Sequence, residues 1–264
     1  MNKFGISYNV FNGEELLLHS IRNHRPFIDH INIVVQYKSN FNESATELLY
    51  ETVLEAKKQG LVDVIFEYSP NLSLSPQLNE LNKRNLGLTI ARDAGSVYFM
   101  TMDSDEFYER NSYSSAISHI KKYDLLTTAA NSYLHIKRPI YRSSLPDTTC
   151  VSFFTKIDNG SHFIANDFYP CLVDPTRRLH GDRSGFFMFR SNELAMMHMN
   201  LVRKDGLRSK LFNTTSANNK KFIAEVKSAY DKWQFGDTLL FPGKPPMTIE
   251  IVDDIFNIDQ YFLR

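Results

Sequence analysis

Four strand-like runs alternating with helix-like segments fill the first hundred residues, and no other feature of this 264-residue chain restricts its fold so severely. Phe4 to Val10 reads as a strand, and Asn12 with Glu15 gives a capping-box signal for a helix bearing Leu16, Leu17, Leu18 and Ile21. Ile31 to Val35 is an aliphatic, β-branched run of the kind buried on both faces of a parallel sheet. Ser44 and Glu47 pair as the cap of a second helix whose apolar face is Leu48, Leu49, Val53 and Ala56, with Gly60 as its stop. Val62 to Phe66 is the third strand. Pro76 opens a third helix with Leu78, Leu81, Ile90 and Ala91 on one face, Gly87 as a candidate interruption and Gly95 near its end. Val97 to Met102 is the fourth strand. Such a series predicts an α/β fold with a parallel, Rossmann-like sheet, right-handed crossovers and a ligand site beyond the carboxyl ends of the strands.

The fourth strand runs straight into Asp103-Ser104-Asp105-Glu106 at that edge. In an extended segment residues i and i+2 point the same way, so Asp103 and Asp105 are expected to address one cation. All-oxygen ligands suit Mg²⁺ or Mn²⁺, which fill the rest of their shell with water and substrate phosphates. The bland alternative is a solvated turn after a strand.

The remainder is less regular. A helix is expected over Ser112 to Lys122, strands near Leu125 to Ala129, Val151 to Ile157 and Gly185 to Phe189, a helix over Lys220 to Trp233, and one short strand in the tail from Pro242. Nothing marks a domain boundary, so one domain over 1–264 is expected. Lys plus Arg equals Asp plus Glu at 30 each, which argues against nucleic acid as partner and makes any anion site local. Arg203, Lys204, Arg208 and Lys210 form one such local basic concentration. Cys150 and Cys171 are too few for a disulfide framework. Met1 to Ser7 shows no basic-then-apolar leader and no apolar run approaches a bilayer span, so a cytoplasmic location with at most peripheral membrane contact is expected.

The segment Lys83 to Gly95, containing Gly87-Leu88-Thr89-Ile90-Ala91-Arg92-Asp93-Ala94-Gly95, followed by a strand and Asp103-Ser104-Asp105, resembles the nucleotide-sugar-binding half of GT-A glycosyltransferases. It is most similar to the family 2-like enzymes of bacterial and large-virus surface-glycan synthesis. The resemblance covers about residues 4 to 110 and implies a nucleotide-sugar half over 1–110 and a smaller mixed-β acceptor-side half over 111–264.

It also implies a donor of UDP or GDP type, a glycan or lipid-linked glycan acceptor, and surface polysaccharide or glycoprotein glycan as product. By position, it implies donor contacts at Tyr8, Asn9, Gln36, Lys83, Arg92, Asp103, Ser104 and Lys210. Metal ligation by Asp105 with Asp103, completed by His198, follows in the same way. Gln36-Tyr37 stands where many relatives carry a base-reading Asp, and Glu14 is a further ribose candidate. Acceptor contacts are expected within Phe163 to Phe187, which holds Tyr169, Asp174, Arg177, Arg178, His180 and Arg183. An inverting transfer needs a base, for which Asp182 and then Asp167 are the candidates. The alternatives are a sugar-1-phosphate nucleotidyltransferase, which would carry a Gly-rich loop after the first strand, and a non-catalytic glycan-binding domain.

Overall fold

The computed structural model describes residues 2–182, 184–213 and 219–263, so Arg183 lies outside the described residues. The first half contains β1 (Phe4–Val10), α1 (Glu14–His24), β2 (His30–Val35), α2 (Glu47–Lys58), β3 (Val64–Glu67), α3 (Pro76–Asp93), β4 (Tyr98–Met102) and β5 (Glu106–Tyr108). It continues with α4 (Arg110–Tyr123), β6 (Thr127–Ile136), β7 (Tyr141–Ser143), β8 (Val151–Lys156), β9 (His162–Phe163) and β10 (Leu179–His180). The last elements are β11 (Phe186–Met188), β12 (Ala195–Leu201), α5 (Arg208–Asn213), α6 (Lys220–Lys232) and β13 (Ile249–Ile251).

β3, β2, β1 and β4 lie side by side and parallel, as the alternating pattern demands, because each crossover helix returns the chain to the same edge. β8 then pairs antiparallel with β4, and β6 antiparallel with β8. The sheet continues through β7 to β13. This is the α/β arrangement expected: a parallel half joined edge to edge with a mixed half. β12 runs parallel to β6 and antiparallel to β5, so the strand carrying His198 is paired with the one that follows the acidic turn. The main core joins one face of β1 (Phe4, Ile6, Tyr8, Val10) and of β2 (Ile31, Ile33, Val35) to the inner faces of α1, α2 and α4.

Local expectations needed four corrections. The first helix is capped by Gly13 in a left-handed conformation (φ 85°), not by Asn12, because Gly13 packs on the acidic turn: a Cβ there would lie 2.3 Å from Ser104 Oγ. The second helix is capped by Thr46, whose hydroxyl accepts the Leu49 N–H, while Ser44 bridges to Lys38. Leu48 and Leu78 face solvent rather than core. Gly87 does not interrupt α3; it lets the helix approach β1, since a Cβ would fall 1.9 Å from Ser7 Oγ and 2.6 Å from Ser7 Cβ. Gly87→Ala is therefore expected to cost about 1–3 kcal/mol, the range for overpacking, despite alanine's better helix propensity. Urea denaturation checks this, and a stabilised variant would contradict it.

Candidate active site

The acidic tetrapeptide is a turn, not an extended segment: Met102 ends β4, Ser104 and Asp105 form the bend, and Glu106 begins β5. The alternation argument therefore does not apply, and other contacts set the directions of the carboxylates. Ser104 Oγ donates to the Asn12 carbonyl (3.2 Å), anchoring the turn on the loop after β1. From α1, Ser20 Oγ donates to the Glu106 carbonyl (2.7 Å) and Asn23 Nδ2 to the Tyr108 carbonyl (2.8 Å), which satisfies β5 on the side away from β12.

Each acid in the turn has its own cations. Asp103 Oδ1 takes Arg84 (3.3 Å) and its Oδ2 takes Arg177 (2.5 Å). Glu106, fully buried, takes the same Arg177 (2.5 Å) and accepts the Asp103 backbone N–H (3.1 Å). Asp105 Oδ2 is paired with Arg203 and with Lys210 Nζ (3.1 Å), while its Oδ1 lies 3.6 Å from His198 Nε2. Burial would raise the Asp105 carboxyl, but Lys210, Arg203 and His198 outweigh it and hold it well below the usual carboxylate range. Asp103 is lowered in the same way: burial opposes, and Arg177 and Arg84 prevail. Glu106 is raised, because burial there exceeds what Arg177 returns and the neighbouring Asp103 charge adds to it.

Two contiguous clefts open at this turn, of about 580 and 300 Å³. They share Asn12, Glu80, Asp103, Asp174 and Lys210. The inner one receives Asn9, Gln36, Lys83, Ser104, Asp105, His198 and Arg203. Asn9 Nδ2 is bonded to Glu80, whereas its buried Oδ1 has no hydrogen-bond partner among the described residues. Gln36 Nε2 donates to Asn40 (3.2 Å). Lys83 is buried beside Glu80 (4.0 Å), and burial lowers its ammonium despite that neighbour.

Other expectations fall outside the cleft. Tyr8 is wholly buried, its hydroxyl bonded to Ser20 (3.0 Å) and His24 (2.9 Å), so it is a core residue and not a donor contact. Arg92 sits at the carboxyl end of α3, beside the amino end of β4, and donates to the carbonyls of Asp158 (3.2 Å) and Asn159 (3.4 Å). It is at the wrong end of the sheet for phosphate. Asp182 is exposed and lies at that same end: its carbonyl accepts Thr127 Oγ1 (3.0 Å), and Thr127 pairs with Thr155 opposite Phe99. Asp167 is spent on loop structure, accepting the Phe168 N–H (2.9 Å) and pairing with His180 (3.1 Å). Neither Asp lines the clefts at the turn. Tyr37 stacks on Tyr50 (3.8 Å), and Glu14 accepts a bond from Thr46 (2.6 Å).

Sequence reasoning passed over Glu80, Arg84, Glu106, Asp147, Arg203 as the Asp105 partner, and Arg177 as a bridge between carboxylates. Glu80 and Arg84 carried a legible signal, the i,i+4 spacing of an acid and a base on one helix. Asp147 carried none. It lines a third cavity, of about 230 Å³, which shares Asp103, Asp174, His198 and Asn200 with the inner cleft. Its Oδ1 accepts Lys244 Nζ (2.5 Å), Thr148 Oγ1 (3.1 Å) and the Thr149 N–H (3.3 Å). Among the described residues its Oδ2 takes no hydrogen bond. Burial is outweighed by Lys244, so the carboxyl is held below its ordinary value and is ionised at neutral pH.

No family model and no curated protein matches the sequence. Among solved structures the chain is similar to TarS of S. aureus (TM-score 0.47, 11% identity, covering 86% of this chain and 43% of TarS). It is also similar to GalNAc-T7 crystallised with UDP, GalNAc and Mn²⁺ (TM-score 0.43, 10% identity, 90% of this chain and 52% of that one). A third is a mannose-1-phosphate geranyltransferase from Thermus thermophilus (TM-score 0.32, 10% identity, 58% and 50%). The chain thus spans about half the length of these neighbours. Among the described residues, no helix is long and apolar enough to cross a membrane.

Proposed function

We propose that the protein is a glycosyltransferase that moves a sugar from a nucleoside-diphosphate donor of UDP or GDP type to a hydroxyl of a glycan or lipid-linked glycan acceptor. The observation that carries this reading is the junction of two cavities at Asp103, Asp174, His198 and Asn200. One is lined by basic groups suited to a diphosphate, and the other holds an ionised carboxylate suited to a hydroxyl. Transfer requires that pairing, and simple binding of a glycan does not. The loop after β1 has a single glycine, and Gly13 is committed to Ser104, which disfavours a nucleotidyltransferase. Synthesis of surface polysaccharide or glycoprotein glycan on the cytoplasmic side is the cellular role this reading assigns.

The amide groups of Asn9 and Gln36 are the base and ribose contacts of the reading, and Lys83, Lys210 and Arg203 receive the diphosphate. A divalent cation, Mn²⁺ or Mg²⁺, fits a narrower ligand set than Asp103, Asp105 and His198 together. Among the described residues no group of three His, Cys, Asp or Glu is arranged to hold a metal. Both Asp103 oxygens are taken by arginines. Asp105 Oδ1 and His198 Nε2, 3.6 Å apart, are the two atoms that would hold one such cation. Such a cation would neutralise charge developing on the leaving diphosphate.

The acceptor hydroxyl oxygen forms the bond to the sugar C1 as the C1–O bond to phosphate breaks. Its proton passes to Asp147 Oδ2, and the departing charge is met by Lys210 and Arg203. Asp147→Asn is expected to lower the turnover number by about 10²–10⁴-fold with donor affinity unchanged. Asp182→Asn, at the far end of the sheet, should leave turnover at the wild-type value. Steady-state assays of both variants decide the matter, and an active Asp147→Asn enzyme would refute the assignment of the base.

A further inference from the structure

The acceptor-side cavity has room for little more than one sugar, and it does not end in a wall. Phe241 and Lys244, which border it, also border a shallow open groove of about 470 Å³. The floor of that groove is α6, through Glu225, Ser228, Ala229 and Lys232, and its lip is Leu240 and Pro242. We infer that this groove binds the distal sugars of an extended glycan acceptor, whose terminal residue lies in the cavity beside Asp147. The inference rests on the glycosyltransferase reading and names its substrate class: an oligosaccharide or polymer rather than a single sugar.

The lining has the chemistry that sugars demand. Phe241, Leu240 and Pro242 offer apolar surface to the C–H faces of pyranose rings, and Leu240 is held 65% exposed on the lip. Lys232, Glu225 and Ser228 offer donors and acceptors to hydroxyls. The lip is fixed before any ligand arrives. Leu239 and Met247 exchange backbone hydrogen bonds (2.8 and 3.0 Å), and buried Leu239 packs with Tyr230 and Trp233. A groove built on anchored elements gives up little freedom on binding. Lys244 stands at the junction: its stem borders both spaces, and its ammonium holds Asp147 Oδ1 (2.5 Å). A chain lying along the groove therefore leads its terminal sugar to the free oxygen of the same carboxylate.

Isothermal titration calorimetry reads sugar binding to the whole protein without any donor present. The test titrates mono-, di- and tetrasaccharides of the maltose, cellobiose and chitin series against the whole protein. In at least one series the tetrasaccharide is expected to bind about tenfold or more tightly than its monosaccharide, since a second contact region adds avidity. Leu240→Ala and Ser228→Trp should each return the tetrasaccharide to the monosaccharide's affinity, with nucleoside-diphosphate binding unchanged. Equal affinity at all lengths in every series, or variants that keep the length dependence, would overturn the inference. Failure to bind any nucleoside diphosphate would count against the glycosyltransferase reading instead, and the sugar titration distinguishes the two.

Discussion

Asp105→Asn is expected to reduce sugar transfer by about 10²–10³-fold, the loss seen when a preorganised electrostatic contact to a leaving group is removed. Asp105 organises two of the three basic groups that line the inner cleft. It fixes Arg203 and Lys210 through one oxygen and presents the other to His198. Arg203 is nearly fully buried, and among its other acid neighbours Glu15 is 3.8 Å away. Removing the Asp105 charge leaves that guanidinium under-compensated, so about 3–5 kcal/mol of stability should be lost as well. Lys210, 27% exposed, can turn to water and limits the damage. The variant should therefore fold with a lowered Tm and be almost inactive. Transfer assays with calorimetry on one preparation check both halves, and a stable, fully active variant would remove Asp105 from the site.

Arg177→Met is the second large effect, and it falls chiefly on stability. The Arg177 guanidinium bridges half-exposed Asp103 and buried Glu106, and without it Glu106 loses its ion pair while Asp103 keeps only Arg84. The expected cost is about 3–5 kcal/mol, or roughly a 10 °C fall in Tm for a chain of this size. Combining it with Glu106→Gln should recover much of the loss, because a buried ion pair replaced at both ends is often neutral.

The pH dependence follows with opposite signs. Asp103 and Asp105 are lowered in the folded state, so their contribution is present above the ordinary value of 3.8 and is lost as pH falls below it. Glu106 is raised, so it favours the fold most in acid and withdraws that support as pH rises through its folded value. In Arg177→Met the Glu106 carboxyl loses the cation that lowers it, so the destabilisation should shrink as pH is lowered toward the ordinary glutamate value of 4.5. Urea midpoints at several pH values test this, and a pH-independent loss would contradict it.

The sheet was legible because each signal was local. Ile31 to Val35 could be little but a buried strand, and Pro76 and Gly60 mark helix ends by their own backbone restrictions. Helix starts were misread where tertiary contacts chose the cap, as when the packing of Gly13 against Ser104 displaced Asn12. The acidic turn and His198 were also legible, the one by its place after β4 and the other by the resemblance. What the sequence hid was partnership. Arg92 and Arg84 lie on the same helix, but α3 is 18 residues long, and only its amino-terminal half reaches the cleft. Asp147 and Lys244 are 97 residues apart and meet only once β8 and the tail are in place. A base proposed from such a contact leaves no spacing to read.

The central claim is a nucleoside-diphosphate site at the Asp103–Glu106 turn, and thermal unfolding with UDP, GDP and their sugars, each with and without Mn²⁺, tests it most directly. A nucleotide at 100 times its Kd should add about 2.7 kcal/mol of stability. The account predicts a rise in Tm for one base, enlarged by Mn²⁺ and lost in Asp105→Asn. No shift with any of these ligands, or a shift that Asp105→Asn retains in full, would contradict it.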